Sequence, residues 1–147
     1  MQFTGYKKNN SDKSLLTCKG TVELSEVKNI FLDNGHWKVS VNNKIFDIFY
    51  HEKQDSDTLY VFLNGSRAPG ESPAFKRWSY FPLLNGSLLN IDDIMYQDFP
   101  DLWLGWYYGT NDTDYVDYVV EIAKTFQIKN NASKIVYFGS SGGGMQL

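Results

Sequence analysis

A single cysteine, Cys18, excludes an internal disulfide and any structural zinc site built on several thiolates, and it fits a reducing compartment. Nowhere is there an apolar run of about 18 residues, so no membrane span is expected. Met1 to Lys13 places Lys7, Lys8, Asn9, Asn10 and Asp12 together with no apolar stretch behind them, which is not a secretory signal. A cytoplasmic location is the expectation. Charge of one sign is not concentrated either. The 14 Lys+Arg and 17 Asp+Glu give a formal net charge of -3 without a basic block, so the electrostatic footprint of a nucleic-acid binder is missing. Internal repeats of about 20 to 50 residues and low-complexity linkers are absent.

What is present is enough apolar material, 42% of 147 residues, for one domain with a sizeable core. Residues 1–27 read as a polar N-terminal extension, in which Thr21-Val22-Glu23-Leu24 suits a short edge strand. Residues 28–147 carry the stronger patterns. After Asn29 to Leu32 and the turn signal Asp33-Asn34-Gly35, Trp37, Val39 and Val41 alternate with His36, Lys38 and Ser40 as in a half-buried strand. The pair Asn42-Asn43 tolerates the positive φ of a hairpin turn, and Lys44 to Tyr50 follows with large apolar residues on both alternations. An antiparallel meander of about three strands is expected here.

Thr58 to Leu63 is apolar on both faces, the pattern of an interior strand, and ends at Asn64-Gly65. Two glycines and a proline in Asn64 to Gly70 force the chain out of the sheet. Phe75 to Leu84 is aromatic and unassigned; Ser87 to Ile91 is a short strand closed by Asp92-Asp93. Asp112-Thr113 offers caps to a helix of about Asp114 to Phe126, with Asp114, Asp117, Glu121 and Lys124 on one polar stripe. Lys134 to Phe138 reads as a second fully buried strand. Strand, loop, strand, helix, strand is the order of an α/β sheet.

That last strand runs directly into Gly139-Ser140-Ser141-Gly142-Gly143, a match to G-x-S-x-G. In this nucleophile elbow a sharp strand-to-helix turn lifts a serine out of the sheet, and side chains at the glycine positions would collide across the turn. Ser141 is the candidate nucleophile, and the N–H of Gly142 a candidate oxyanion donor. The competing reading, a phosphate-binding loop, lacks a neighbouring lysine and departs from the Walker and dinucleotide spacings. A second donor is sought in the loop after the Thr58 to Leu63 strand, where Gly65 and Ser66 are the candidates and the Asn64 amide can tie the loop down. An ordinary surface turn is the alternative there.

On these residues the chain resembles the α/β-hydrolase superfamily over about residues 28–147, and only the elbow is specific to it. The resemblance implies a partial α/β-hydrolase fold, antiparallel N-terminal strands leading into a mostly parallel sheet that is truncated after the nucleophile strand. It also implies attack by Ser141 on an ester carbon of a small-molecule or carbohydrate substrate, without metal or cofactor, assisted by a histidine and an acid that follow the serine in the chain. The six residues after Ser141 hold no Asp, Glu or His, so an inactive N-terminal portion is expected. Arg77-Trp78-Ser79-Tyr80 and Gly105-Trp106-Tyr107-Tyr108-Gly109 are similar to segments of bacterial α/β-hydrolase-like proteins tied to surface-polysaccharide loci. The alternative is therefore a non-catalytic binding or assembly protein on a hydrolase-like scaffold.

Other residues weigh less. His36 and His51 precede the elbow and read as strand-surface or strand-end residues. Asp92, Asp93, Asp98 and Asp101 lack the spacing of a calcium loop and read as solvated acids. Trp37, Trp78, Trp103 and Trp106 read as core filling ahead of a sugar-stacking role. Arg67 faces either water or an anionic substrate group.

Overall fold

The computed structural model describes residues 12–65, 68–70, 73–102, 105, 107, 109–110 and 113–139. After a 3-10 turn at Lys13–Leu16 come β1 (Thr21–Glu23) and a 3-10 segment at Leu24–Asn29. Next are β2 (Gly35–Val41), β3 (Lys44–His51), β4 (Thr58–Leu63), a 3-10 segment at Trp78–Leu83 and β5 (Ser87–Ile91). The short helix α1 (Met95–Asp98) leads to β6 (Gly109–Thr110) and β7 (Thr113–Asp114), a two-stranded ribbon, and then to α2 (Tyr115–Lys129) and β8 (Lys134–Gly139). The main sheet is six-stranded, in the order β1-β2-β3-β5-β4-β8. It is a mixed, mostly parallel α/β sheet: β2 pairs antiparallel with β3 and β3 with β5, whereas β1–β2, β4–β5 and β4–β8 are parallel.

The β2–β3 hairpin forms where the asparagine pair foretold it. Asn42 and Asn43 have φ of 48° and 65°, the double left-handed turn whose twist suits two antiparallel strands. The meander, however, has no strand at Asn29–Leu32; the chain there leaves a 3-10 segment, and β3 takes β5 as its second antiparallel partner. Val22, Leu24 and Val27 lie in the core although they fall within the polar extension, because β1, which carries Val22, pairs with β2 and the 3-10 segment carrying Leu24 and Val27 packs against the helix α2.

Two apolar clusters lie on opposite faces of the sheet. On one, Phe46, Ile48, Tyr50, Leu59, Val61, Leu63, Leu89 and Ile91 meet the α2 residues Tyr115, Val119, Ile122, Ala123 and Phe126. Those helix positions recur every three or four residues, a single stripe, and each large side chain buried there is worth about 1.5–3 kcal/mol. Asp114, Asp117, Glu121 and Lys124 face water as expected, but Val120 is on their side and exposed. The helix is capped by Asp114, whose carboxylate accepts the Val116 N–H at 3.0 Å, so that it starts at Tyr115, one residue later than expected. The other face is aromatic, with Phe49, Phe62, Phe75, Trp78 and Leu88 packed together and Trp78 filling core as its sequence context suggests.

The connection from β4 to β5 passes over the aromatic face and that from β5 to β8 over the α2 face, while stepping to opposite sides of β4. Opposite directions on opposite faces give both crossovers the same hand, as parallel connections require. The reading of Lys134 to Phe138 as a fully buried inner strand is corrected: among the described residues β8 is the sheet edge, with Val136 42%, Tyr137 36% and Phe138 43% exposed. Its composition is that of an interior strand, but only one flank is occupied, by β4.

Candidate functional site

Chain reversal around β4 determines where a site forms. From β4 the chain steps to β5 on one side, then returns past β4 to β8 on the other, so a topological switch point lies between β4 and β8. Loops leaving the carboxyl ends of strands on either side of such a point diverge and open a crevice. Here the strands end level, since Leu63 stands opposite Gly139 on one side and Ile91 on the other. Asn64-Gly65 therefore departs beside Gly139, the residue that opens G-x-S-x-G. Ser141, Gly142 and Ser66, like Arg67, Trp103 and Trp106, lie outside the described residues; Gly65 is described and buried.

The loop after β4 is anchored from several sides. The Asn64 backbone N–H donates to the Tyr107 hydroxyl at 2.7 Å, and that hydroxyl donates to the Ile91 carbonyl at 2.6 Å. One phenol thus bridges β4 and β5 just where their ladder ends. With its N–H committed, Asn64 is not an oxyanion donor, which leaves Gly65 and Ser66 from the sequence proposal. The Asn64 side chain does tie the loop down: its Oδ1 accepts the Lys76 N–H at 3.0 Å, and its Nδ2 donates to the Ala74 carbonyl and, at 3.4 Å, to Asp92 Oδ1.

Asp92 and Asp93 are not solvated acids. They are 4% and 2% exposed, and Asp93 accepts the N–H groups of Met95 at 3.1 Å and Tyr107 at 3.2 Å. Their burial follows from position, directly behind a strand buried along its whole length. Asp98 and Asp101 are exposed. Among the described residues no group of three or more His, Cys, Asp or Glu side chains is placed to hold a metal ion. Nor is any described helix long and apolar enough to cross a membrane.

The histidines stand elsewhere. His36 is buried rather than on the strand surface: its Nε2 donates to Asp47 Oδ1 at 2.7 Å and its Nδ1 lies 3.3 Å from the Leu16 carbonyl. Both neighbours are hydrogen-bond acceptors. Burial acts to raise the Asp47 carboxyl, but hydrogen bonds from His36 and from Lys38, at 2.8 Å, outweigh it and hold the group below its ordinary value. His51 ends β3, half-buried and stacked on Phe81 at 3.8 Å, and burial lowers its ring below the usual histidine value. Strands are spaced about 4.8 Å apart, so His36 on β2 is about 19 Å from β8 and His51 on β3 about 14 Å. His51 also sits opposite Leu88, at the amino end of β5 and away from the switch point. Neither is within reach of a group at the carboxyl end of β8.

The sequence reading missed Tyr107, Asp93 and Asn90, whose side-chain amide donates to the Lys76 carbonyl at 2.8 Å. A tyrosine framed by Gly105 and Gly109 was the available signal. Comparison with known protein families, with curated proteins and with solved structures gives no match to this chain.

Proposed function

We propose that the chain carries the nucleophile and oxyanion side of an α/β-hydrolase-type acyl hydrolase, acting on an ester of a small molecule or carbohydrate. One observation carries the reading: Leu63 and Gly139 are register partners in neighbouring parallel strands, so the glycine loop and the G-x-S-x-G turn set out side by side at a switch point. In this reading Ser141 Oγ attacks the acyl carbon and loses its proton to a base. The carbonyl oxygen takes up the negative charge and is met by N–H groups of Gly142 and of Gly65 or Ser66. Collapse of the tetrahedral adduct expels the alcohol, and water then releases the acid. In this reading neither His36 nor His51 serves as the base, since their strands stand four and three places from β8 in the sheet.

The same distance favours a second reading, a binding or assembly protein that keeps the scaffold without catalysis. Labelling by a fluorophosphonate, with and without added imidazole as an external base, separates them. Imidazole-stimulated labelling that disappears in Ser141→Ala supports the hydrolase; a wild-type protein that stays unlabelled in both conditions leaves the scaffold reading.

A further inference from the structure

Three Asn-Gly pairs lie in the chain, Asn34-Gly35, Asn64-Gly65 and Asn85-Gly86. Such a pair is chemically labile, because a glycine without a side chain lets its backbone nitrogen approach the amide carbon of the asparagine before it. The nitrogen loses its proton to solvent base and bonds to Cγ, Nδ2 leaves as ammonia, and a cyclic imide closes. Water then opens the imide at either carbonyl, leaving aspartate or its backbone-lengthened isomer, isoaspartate.

The fold holds the three pairs differently. Asn64 is 2% exposed and locked: its Oδ1 accepts the Lys76 N–H at 3.0 Å, and its Nδ2 donates to the Ala74 carbonyl and to Asp92. Closing the imide there would break all three contacts. Asn34 is half-buried, and its Oδ1 accepts the Glu52 N–H at 2.8 Å, which ties it to the end of β3. Asn85 is exposed, and among the described residues none bonds its side-chain amide.

The surroundings of Asn85 also favour the attack. Ser56 Oγ donates to the Asn85 carbonyl at 3.1 Å, the nearer of its two acceptors. A hydrogen bond at that oxygen polarises the peptide and makes the Gly86 N–H easier to deprotonate. Lys53 Nζ, bound to the Leu84 carbonyl at 2.9 Å, brings a positive charge to the adjoining peptide, where it favours the deprotonated nitrogen. Among the described turn and loop bonds none takes the Gly86 N–H. Nor can a side chain at position 86 shield the asparagine, since a Cβ there would lie 2.3 Å from the Thr58 carbonyl oxygen. The packing that seats β5 beside β4 thus preserves the labile pair.

We infer that Asn85 is a site of spontaneous conversion to aspartate and isoaspartate, the first of the three pairs to react in the folded protein. The reaction needs only water and stands apart from the hydrolase reading. Its product puts a carboxylate, or an added methylene in the main chain, directly ahead of β5. There Ser87 Oγ accepts the Lys53 N–H at 2.9 Å and donates to Asn130 Oδ1 at 3.0 Å, bonds that seat the strand inserted between β3 and β4.

Folded protein held at mildly alkaline pH, then digested and read by mass spectrometry, tests the assignment. The mass gain of amide-to-acid conversion should appear first in the peptide bearing Asn85 and last in that bearing Asn64. In denaturant the three peptides should react at similar rates. Asn85→Gln should abolish the early release of ammonia and leave the other two peptides as in wild type. Ser56→Ala should slow conversion at Asn85 about three- to tenfold, the size of one neutral hydrogen bond. Asn34 or Asn64 reacting as fast as Asn85 in the folded protein overturns the inference, as does an Asn85 that stays intact there while reacting in denaturant. A rate that does not fall in Ser56→Ala removes the part given to Ser56.

Discussion

The hydroxyl of Tyr107 accepts the backbone N–H of Asn64 at 2.7 Å and passes its own proton to the carbonyl of Ile91. Tyr107→Phe keeps the ring and leaves both backbone groups without that partner in a buried place. Each group left bare costs about 1–3 kcal/mol, so a loss of about 2–6 kcal/mol is expected in denaturant unfolding. Amide exchange at Asn64 should rise with it. Exchange as slow as in wild type would show that the phenol does not hold the loop.

The trio His36, Asp47 and Lys38 sets the acid limb of stability. Because the Asp47 carboxyl is depressed in the folded chain, its contribution is complete above the ordinary aspartate value and is lost as pH falls through the folded one. Unfolding free energy should therefore decline below about pH 4 in wild type. In Asp47→Asn it should start lower and decline less steeply. Identical acid limbs in the two proteins would rule out this pair as the cause.

Gly105 has no room for a side chain. A Cβ there would lie 2.5 Å from the Cβ of Met95 and 2.8 Å from Asp93 Oδ2. Gly105→Ala should cost about 1–3 kcal/mol, typical of overpacking, and should speed amide exchange at Tyr107, whose N–H Asp93 accepts. A melting temperature equal to wild type would count against the tight packing.

Along β8 the exposed residues Val136, Tyr137 and Phe138 follow one another at the sheet edge. Such an edge invites pairing with another chain. Val136→Lys should slow concentration-dependent light scattering while changing unfolding free energy by no more than about 0.5 kcal/mol, the usual range for an exposed position. Unchanged scattering would mean that association proceeds elsewhere.

Local chemistry made parts of this fold legible. Asn42-Asn43 announced a hairpin, Thr58 to Leu63 announced an interior strand, and the largely apolar run of about Asp114 to Phe126 with its narrow polar stripe announced a helix on a sheet, although Val120, read as covered, is exposed. What could not be read was pairing between distant segments. Nothing in Ser87 to Ile91 says that it inserts between β3 and β4, yet that insertion creates the switch point. Asp92 and Asp93 look like solvated acids until Tyr107 and Met95 are seen to use Asp93, and His36 looks exposed until the chain at Leu16 folds over it. For β8 the composition was read correctly and the exposure was not, because burial depends on a flank that the strand does not itself supply.

The anchoring of residues 64 and 76 has a thermodynamic corollary. Freedom that the backbone has already surrendered in folding need not be surrendered again when a guest arrives. Substitutions at Asn64 or Asn90 should therefore restore motion to the main chain at Lys76 without touching its side chain, so that any group meeting this stretch would have to order it anew.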